Sequence, residues 1–381
     1  MRNLLDNYRR HLTNYDSLLA YSLLGIVGGV ASGLVVLTFE WSITALAGLW
    51  GVAGGGEFFE VLPRWQLFAL PAGGALLLGL AYHLLAPEDR ETGIVHVLSR
   101  MHSHYSVLPL RNALVQFIGG AFALATGQSG GREGPGVHLG GAVNSQIGQH
   151  LGLPNNSLRV LIACGTAGGI ASAFNTPLAG VIFAMEVIVA EYSVVGFIPV
   201  ILAAVAASAV SRSLSPGGAL FDIPPLPLNS LLEIPYLALL GIFCGVSVIV
   251  FISISRFAAR FAHWPVSVRF TIAGLLTGSL ALWVPEILGI GYDTLNLALQ
   301  GELALTALLL IALCKLLATA TSCGVGMPIG VIGPNLLIGA CLGGAMGVAG
   351  GQIAPELASH PTLYIVVGMA ATMAAAVNAP L

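Results

Sequence analysis

Gly165-Thr-Ala-Gly-Gly-Ile-Ala-Ser-Ala-Phe-Asn-Thr-Pro-Leu178 returns at the far end of the chain as Gly368-Met-Ala-Ala-Thr-Met-Ala-Ala-Ala-Val-Asn-Ala-Pro-Leu381, identical at seven of fourteen positions and displaced by 203 residues. Upstream, Gly131-Arg132-Glu133-Gly134-Pro135 aligns with Gly330-Val331-Ile332-Gly333-Pro334 at a displacement of 199. Chance likeness between alanine-rich helices explains the first match alone, but not two matches in nearly one register. The pair predicts a duplicated bundle, with one repeat half over about 17–213 and the other over about 228–381, together a single transmembrane domain over 1–381. In folds built this way the substrate site lies where the halves meet. The second copy stops at Leu381, whereas the first continues through 179–185 into another apolar helix, so the natural chain is expected to extend further.

With 56% apolar and 8% charged residues, 49 glycines and a mean hydropathy of +0.89, the composition is that of an all-α polytopic membrane protein. A bilayer core needs about 20 apolar residues per helix and admits irregular backbone only inside protein or beside a cavity. The apolar residues run continuously, as over 307–313, instead of alternating, which argues against a barrel. Helix candidates fall near 17–41, 66–86, 108–126, 133–150, 157–174, 177–190, 195–213, 230–262, 268–283, 302–320, 332–350 and 361–377. Glycine and proline interrupt them at Gly130-Gly131, Pro177, 324–328 and Gly333-Pro334. That is the pattern of broken, tilted helices around a site near mid-membrane.

The net charge of −3 and the single lysine, Lys315, beside thirteen arginines leave no basic patch, so nucleic acid is excluded as a partner. Cys164, Cys244, Cys314, Cys323 and Cys341 stand singly, without the spacing of a metal site or redox pair, and read as buried free thiols. No metal or cofactor is implied. Arg2, Arg9 and Arg10 precede a first apolar run too long for a cleaved signal, which predicts a retained span and a cytoplasmic N-terminus.

Glu133 is the outlier among these glycines. An intramembrane carboxylate is costly and marks a functional site by default, with an ion pair to Arg132 as the competing structural reading. A helix start offers unpaired N–H groups and the positive end of the helix dipole, and so a ready anion site. A tethered carboxylate can occupy that site, and can leave it when protonated. Burial opposes its charge while nearby N–H groups favour it, so its protonation answers both to pH and to anion occupancy. The uncharged partner, 330–334, gains meaning by pairing: two helix starts aimed at one point would hold an anion weakly enough for release.

Gly131-Arg-Glu-Gly-Pro135, Phe174-Asn-Thr-Pro-Leu-Ala-Gly180, Gly289-Ile-Gly-Tyr-Asp293 and Gly330-Val-Ile-Gly-Pro334, in this order, resemble the CLC family of chloride channels and proton/chloride exchangers. The likeness covers nearly the whole chain. It implies an antiparallel (inverted) repeat bundle, a homodimer with one anion pore per subunit, and chloride and protons as the transported ions, in a lipid bilayer that for this chain would be the cell inner (plasma) membrane. By position it implies Glu133 as the gate, with the backbone of Arg132, Glu133 and Gly134 as outer anion site and the N–H groups of Val331 and Ile332 as central site. Glu91-Thr92-Gly93-Ile94-Val95 departs from the family's usual Gly-Ser-Gly-Ile-Pro, though Thr92 keeps a hydroxyl, so Thr92, Gly93 and Ile94 are carried over as anion contacts. Ile332 replaces a common phenylalanine. The family's pore tyrosine would lie beyond Leu381.

The internal proton acceptor of family exchangers aligns with Val187, which cannot carry a proton, and its neighbour Glu186 is the candidate substitute. The resemblance therefore implies proton-coupled chloride antiport, with a passive chloride channel as the alternative that Val187 favours. No enzymatic role is expected. A distant alternative, an intramembrane serine hydrolase, rests on the G-x-S-x-G match at 127–131 with His138 nearby, a weak pattern in a glycine-rich chain. His138 and His150 are further candidates for tuning a pH response.

Overall fold

The computed structural model describes residues 18–52, 58–190, 194–215, 220–221, 223 and 226–379. The polar arm bearing Arg2, Arg9 and Arg10 lies outside them. No strand forms among the described residues, and the helices follow in chain order as α1 (Leu18–Gly48), α2 (Arg64–His83), α3 (Gly93–Ser103), α4 (Leu110–Ala125), α5 (Glu133–His150), α6 (Asn155–Phe174) and α7 (Pro177–Phe183). A wider-wound π segment, Ala184–Val189, continues α7. There follow α8 (Val194–Leu214), α9 (Ile234–Ala259), α10 (Val266–Ala281), α11 (Tyr292–Leu299), α12 (Leu305–Gly324), α13 (Ile332–Ile353) and α14 (Pro361–Val377). Seven of the described helical stretches are long and apolar enough to cross a bilayer, and the chain is an all-α, multi-pass integral membrane protein.

The duplication is visible atom by atom. α5 and α13 both begin two residues before a proline, Pro135 and Pro334, which supplies no N–H and pre-sets helical backbone at that position. The first intrahelical bonds correspond as well: Gly136 N–H to Arg132 carbonyl at 2.9 Å, and Asn335 N–H to Val331 carbonyl at 3.1 Å. Gly127 and Gly326, left-handed at φ 81° and 89°, turn the chain ahead of the two helix starts. Asn175 and Asn378, left-handed at φ 56° and 55°, end α6 and α14, the role that asparagine's tolerance of this conformation allows.

Each copy is a crossed helix pair whose backbones touch. α5 packs on α6 where Gly140 meets Gly165, and α13 packs on α14 where Gly339 meets Gly368; a Cβ on any of the four would fall on the partner's carbonyl. Without a hydrophobic force between helices in lipid, such close approach is what holds them. The halves interlock through α2 and α10, where Gly274 leaves room for Ala75 and Gly278 for the backbone of Phe68. Where the copies meet at the centre they run antiparallel, as a two-residue bridge between Gly131 and Gly330.

Gly368→Ala pushes a methyl into the Gly339 carbonyl and should destabilise the protein by about 1–3 kcal/mol, the usual range for overpacking. Gly241→Ala, where nothing lies within 4 Å, is the control and should leave the melting temperature in detergent unchanged or slightly raised, alanine being the better helix former. Equal melting of the two variants would contradict the glycine-contact account.

Candidate functional site

Gly131 N–H donates to Gly330 carbonyl at 2.8 Å and Gly330 N–H to Gly131 carbonyl at 2.7 Å, which fixes the starts of α5 and α13 side by side. Neither cap residue, Arg132 or Val331, bonds a first-turn N–H with its side chain, so neither helix start is satisfied by its own cap. Glu133, the first residue of α5, is fully buried and reaches across to the other copy. Its Oε2 accepts the Gly333 N–H of α13 at 3.1 Å, and its Oε1 accepts the hydroxyl of Tyr292, the first residue of α11. The carboxylate of one repeat thus sits on the amide tip of the other.

Bare Cα atoms make the room. A Cβ on Gly333 would stand 3.2 Å from Glu133 Oε2 and 3.4 Å from the Tyr292 hydroxyl, and one on Gly131 would strike the same carboxylate. Arg132 engages Glu40 of α1 at 3.4 Å and the Ala173 carbonyl at 3.3 Å, and its guanidinium lies 5.5 Å from the centre of the Tyr292 ring.

Beside the paired helix starts opens a cavity of about 450 Å³ lined by Thr92, Gly93, Ile94, Gly134, Gly330 and Val331 among others. The start of α3 and both glycine-rich tips therefore share one space. Gln116 of α4 ties them together, accepting Gly93 N–H at 2.8 Å and donating to the Pro328 carbonyl at 2.8 Å. The Gly93 amide thus has an internal partner. The side chain of Ile332 packs into the core, which leaves only its N–H for a ligand.

Glu186 lies in the π segment, with Oε2 buried and unpartnered, and is not among the residues lining that cavity; Val187 packs against the core. Such bulges occur often at functional positions. The serine-nucleophile arrangement does not assemble. Ser129 Oγ pairs with Thr319 Oγ1 at 2.8 Å, while His138 Nε2 is engaged by His96 Nδ1 at 2.8 Å. Because a guanidinium only donates, the bond from Arg100 Nε to His96 Nε2 at 3.2 Å leaves the His96 proton on Nδ1, facing His138.

Tyr292, Gly333, Glu40 and Lys315 are parts of the site that sequence reasoning gave no role. Lys315, fully buried in α12, donates to the carbonyls of Ile287 at 3.0 Å and Gly289 at 2.9 Å, and so pins the segment that leads into Tyr292. A lone lysine within an apolar span was the available signal for it.

A buried carboxylate on paired, uncapped helix starts inside an inverted-repeat bundle defines a membrane ion-transport fold. The chain belongs to the voltage-gated chloride channel family, whose model matches residues 74–381. It is 32% identical over 94% of its length, and 86% of the relative's, to a protein of Ralstonia nicotianae described as a ClcB-like chloride channel protein. With the H(+)/Cl(−) exchange transporter ClcA of Vibrio campbellii the figures are 31%, 93% and 78%. Its fold is similar to that of a slow cyanobacterial Cl−/H+ antiporter at a TM-score of 0.81 and 22% identity, covering 94% of this chain and 86% of that one.

Lys315→Met leaves the Ile287 and Gly289 carbonyls short of a donor and should destabilise the fold by about 1–3 kcal/mol. Arg111→Met, which removes an exposed guanidinium from a long 3.9 Å pair with Asp89, should cost no more than about 1 kcal/mol. Thermal unfolding of both in one detergent checks the difference, and equal losses would remove the tethering role of Lys315.

Proposed function

We propose that this chain is a membrane antiporter that exchanges chloride for protons, with Glu133 as its gate. The observation that carries this reading is the Glu133 carboxylate held on the Gly333 amide, where an anion would otherwise bind. Chloride and carboxylate, both anions, compete for the Gly333 N–H and its neighbours at the start of α13. A proton removes the carboxylate's charge and with it most of its claim on the amides, so the side chain leaves and chloride takes its place. Departure of chloride and of the proton then returns the carboxylate.

In this reading the anion contacts are the backbone of Arg132, Glu133 and Gly134, the N–H groups of Val331, Ile332 and Gly333, and, across the cavity, the Thr92 hydroxyl and the Ile94 amide. Backbone donors without a full positive charge keep binding weak enough for release. Glu186 is the candidate for the internal proton path, one of its carboxylate oxygens being buried without a partner. The working form is a homodimer in a lipid bilayer, the cell inner membrane, with a cytoplasmic N-terminus, and it is a transporter and not an enzyme. A passive chloride channel is the second reading, favoured by Val187, whose side chain packs in the core and carries no proton.

The reversal potential in proteoliposomes under opposed chloride and proton gradients separates the two. Antiport shifts it away from the chloride equilibrium value, and a potential that ignores pH contradicts coupling. Glu133→Gln mimics the protonated gate and should give chloride flux that no longer varies with pH, with proton movement abolished; retained coupling would remove Glu133 from the mechanism. Thr92→Ala should change the chloride-to-nitrate preference at least about twofold, in line with a hydrogen bond contributing about 0.5–1.5 kcal/mol. An unaltered ratio would exclude Thr92 from the anion path.

A further inference from the structure

The Gly333 amide does not hold Glu133 alone. The second carboxylate oxygen accepts the hydroxyl of Tyr292, a residue outside both glycine-rich helix starts and 159 positions away in the chain. Its ring has little freedom. It is 1% exposed, meets Phe221 edge-on at 5.4 Å and Phe174 at 6.3 Å, and lies against the Arg132 guanidinium. The backbone behind it is equally fixed: Gly291, left-handed at φ 88°, starts α11, and Lys315 holds the Gly289 carbonyl. A phenol clamped in this way cannot follow Glu133 when that side chain swings.

We infer that Tyr292 is a positioning residue that latches the Glu133 carboxylate in the anion's place, so that its hydroxyl and the Gly333 amide together set how much acid releases the gate. The inference rests on the reading of Glu133 as the gate. Hydrogen bonds to an ionised carboxylate are stronger than those to the neutral acid, so each donor favours the charged, seated side chain. Losing one donor while keeping the ring tips the balance toward release. Arg132 on the same helix start as Glu133, Glu40 from α1 and Lys315 from α12 are charged groups around this site, and all three are retained when only the hydroxyl is removed. A ring that merely fills space predicts no effect, because phenylalanine fills the same space.

The test is Tyr292→Phe, measured in two ways. In proteoliposomes, the midpoint of chloride flux against pH should rise by about one pH unit or more, the shift that corresponds to losing a hydrogen bond to a charged group. By calorimetry on the purified protein near neutral pH, chloride should bind at least about fivefold more tightly, since its rival is held less firmly. In a Glu133→Gln background the same substitution should do neither. Unchanged midpoint and affinity in Tyr292→Phe, with Glu133→Gln flat against pH, would overturn the latch and leave the gate standing. A Glu133→Gln protein that keeps the wild-type pH profile would overturn both.

Discussion

Unpaired backbone amides in a membrane interior must find a partner, and at the centre of this protein two sets of them point at one place. A helix start leaves its first N–H groups without intrahelical acceptors, and lipid offers no water to satisfy them. Here neither cap residue bonds a first-turn amide through its side chain. The amides are thus available to an anion, and a tethered carboxylate from the opposite repeat takes the Gly333 donor. Much else in the molecule serves to keep those two tips together while leaving them incompletely satisfied.

That arrangement explains where the chain spends its glycines. The pairs Gly140 with Gly165 and Gly339 with Gly368 bring the helices of each copy into backbone contact, and Gly131 with Gly330 brings the two copies into contact with each other. Gly333 has a further part, since its missing Cβ is the room in which the carboxylate lies. Two buried polar side chains tie distant backbone together. Gln116 links the first residue of α3 to the loop before α13, and Lys315 links α12 to the segment before α11. Each satisfies backbone groups at a depth where unpaired carbonyls or amides are costly.

Much of this was legible in the sequence, for identifiable reasons. The repeat, the starts of α5, α13 and α14, and the burial of Glu133 follow from glycine–proline punctuation and from hydropathy, which are local signals. α3 and α11 were not among the helix candidates because one presents a polar face and the other is a single short run, so neither has a long apolar stretch. The loss of the Gly93 amide to Gln116 was equally hidden, since nothing local joins positions 23 residues apart. The part Tyr292 plays is invisible in its motif, because its partner lies in the other repeat and only the tertiary fold brings the two together. At the second tip the motif points to Val331 and Ile332, whereas the donor that holds the Glu133 carboxylate is Gly333, one residue further along.

The central claim is that the Glu133 carboxylate and a halide exclude one another at a single set of amides. Crystals of the protein soaked in bromide at low and at high pH, with anomalous scattering recorded, test it most directly. The account predicts bromide against the amides of residues 332–333 at low pH, with Glu133 swung clear of Gly333, and little or none there at high pH. Bromide seated on those amides while Glu133 keeps its bond to Gly333 would contradict it.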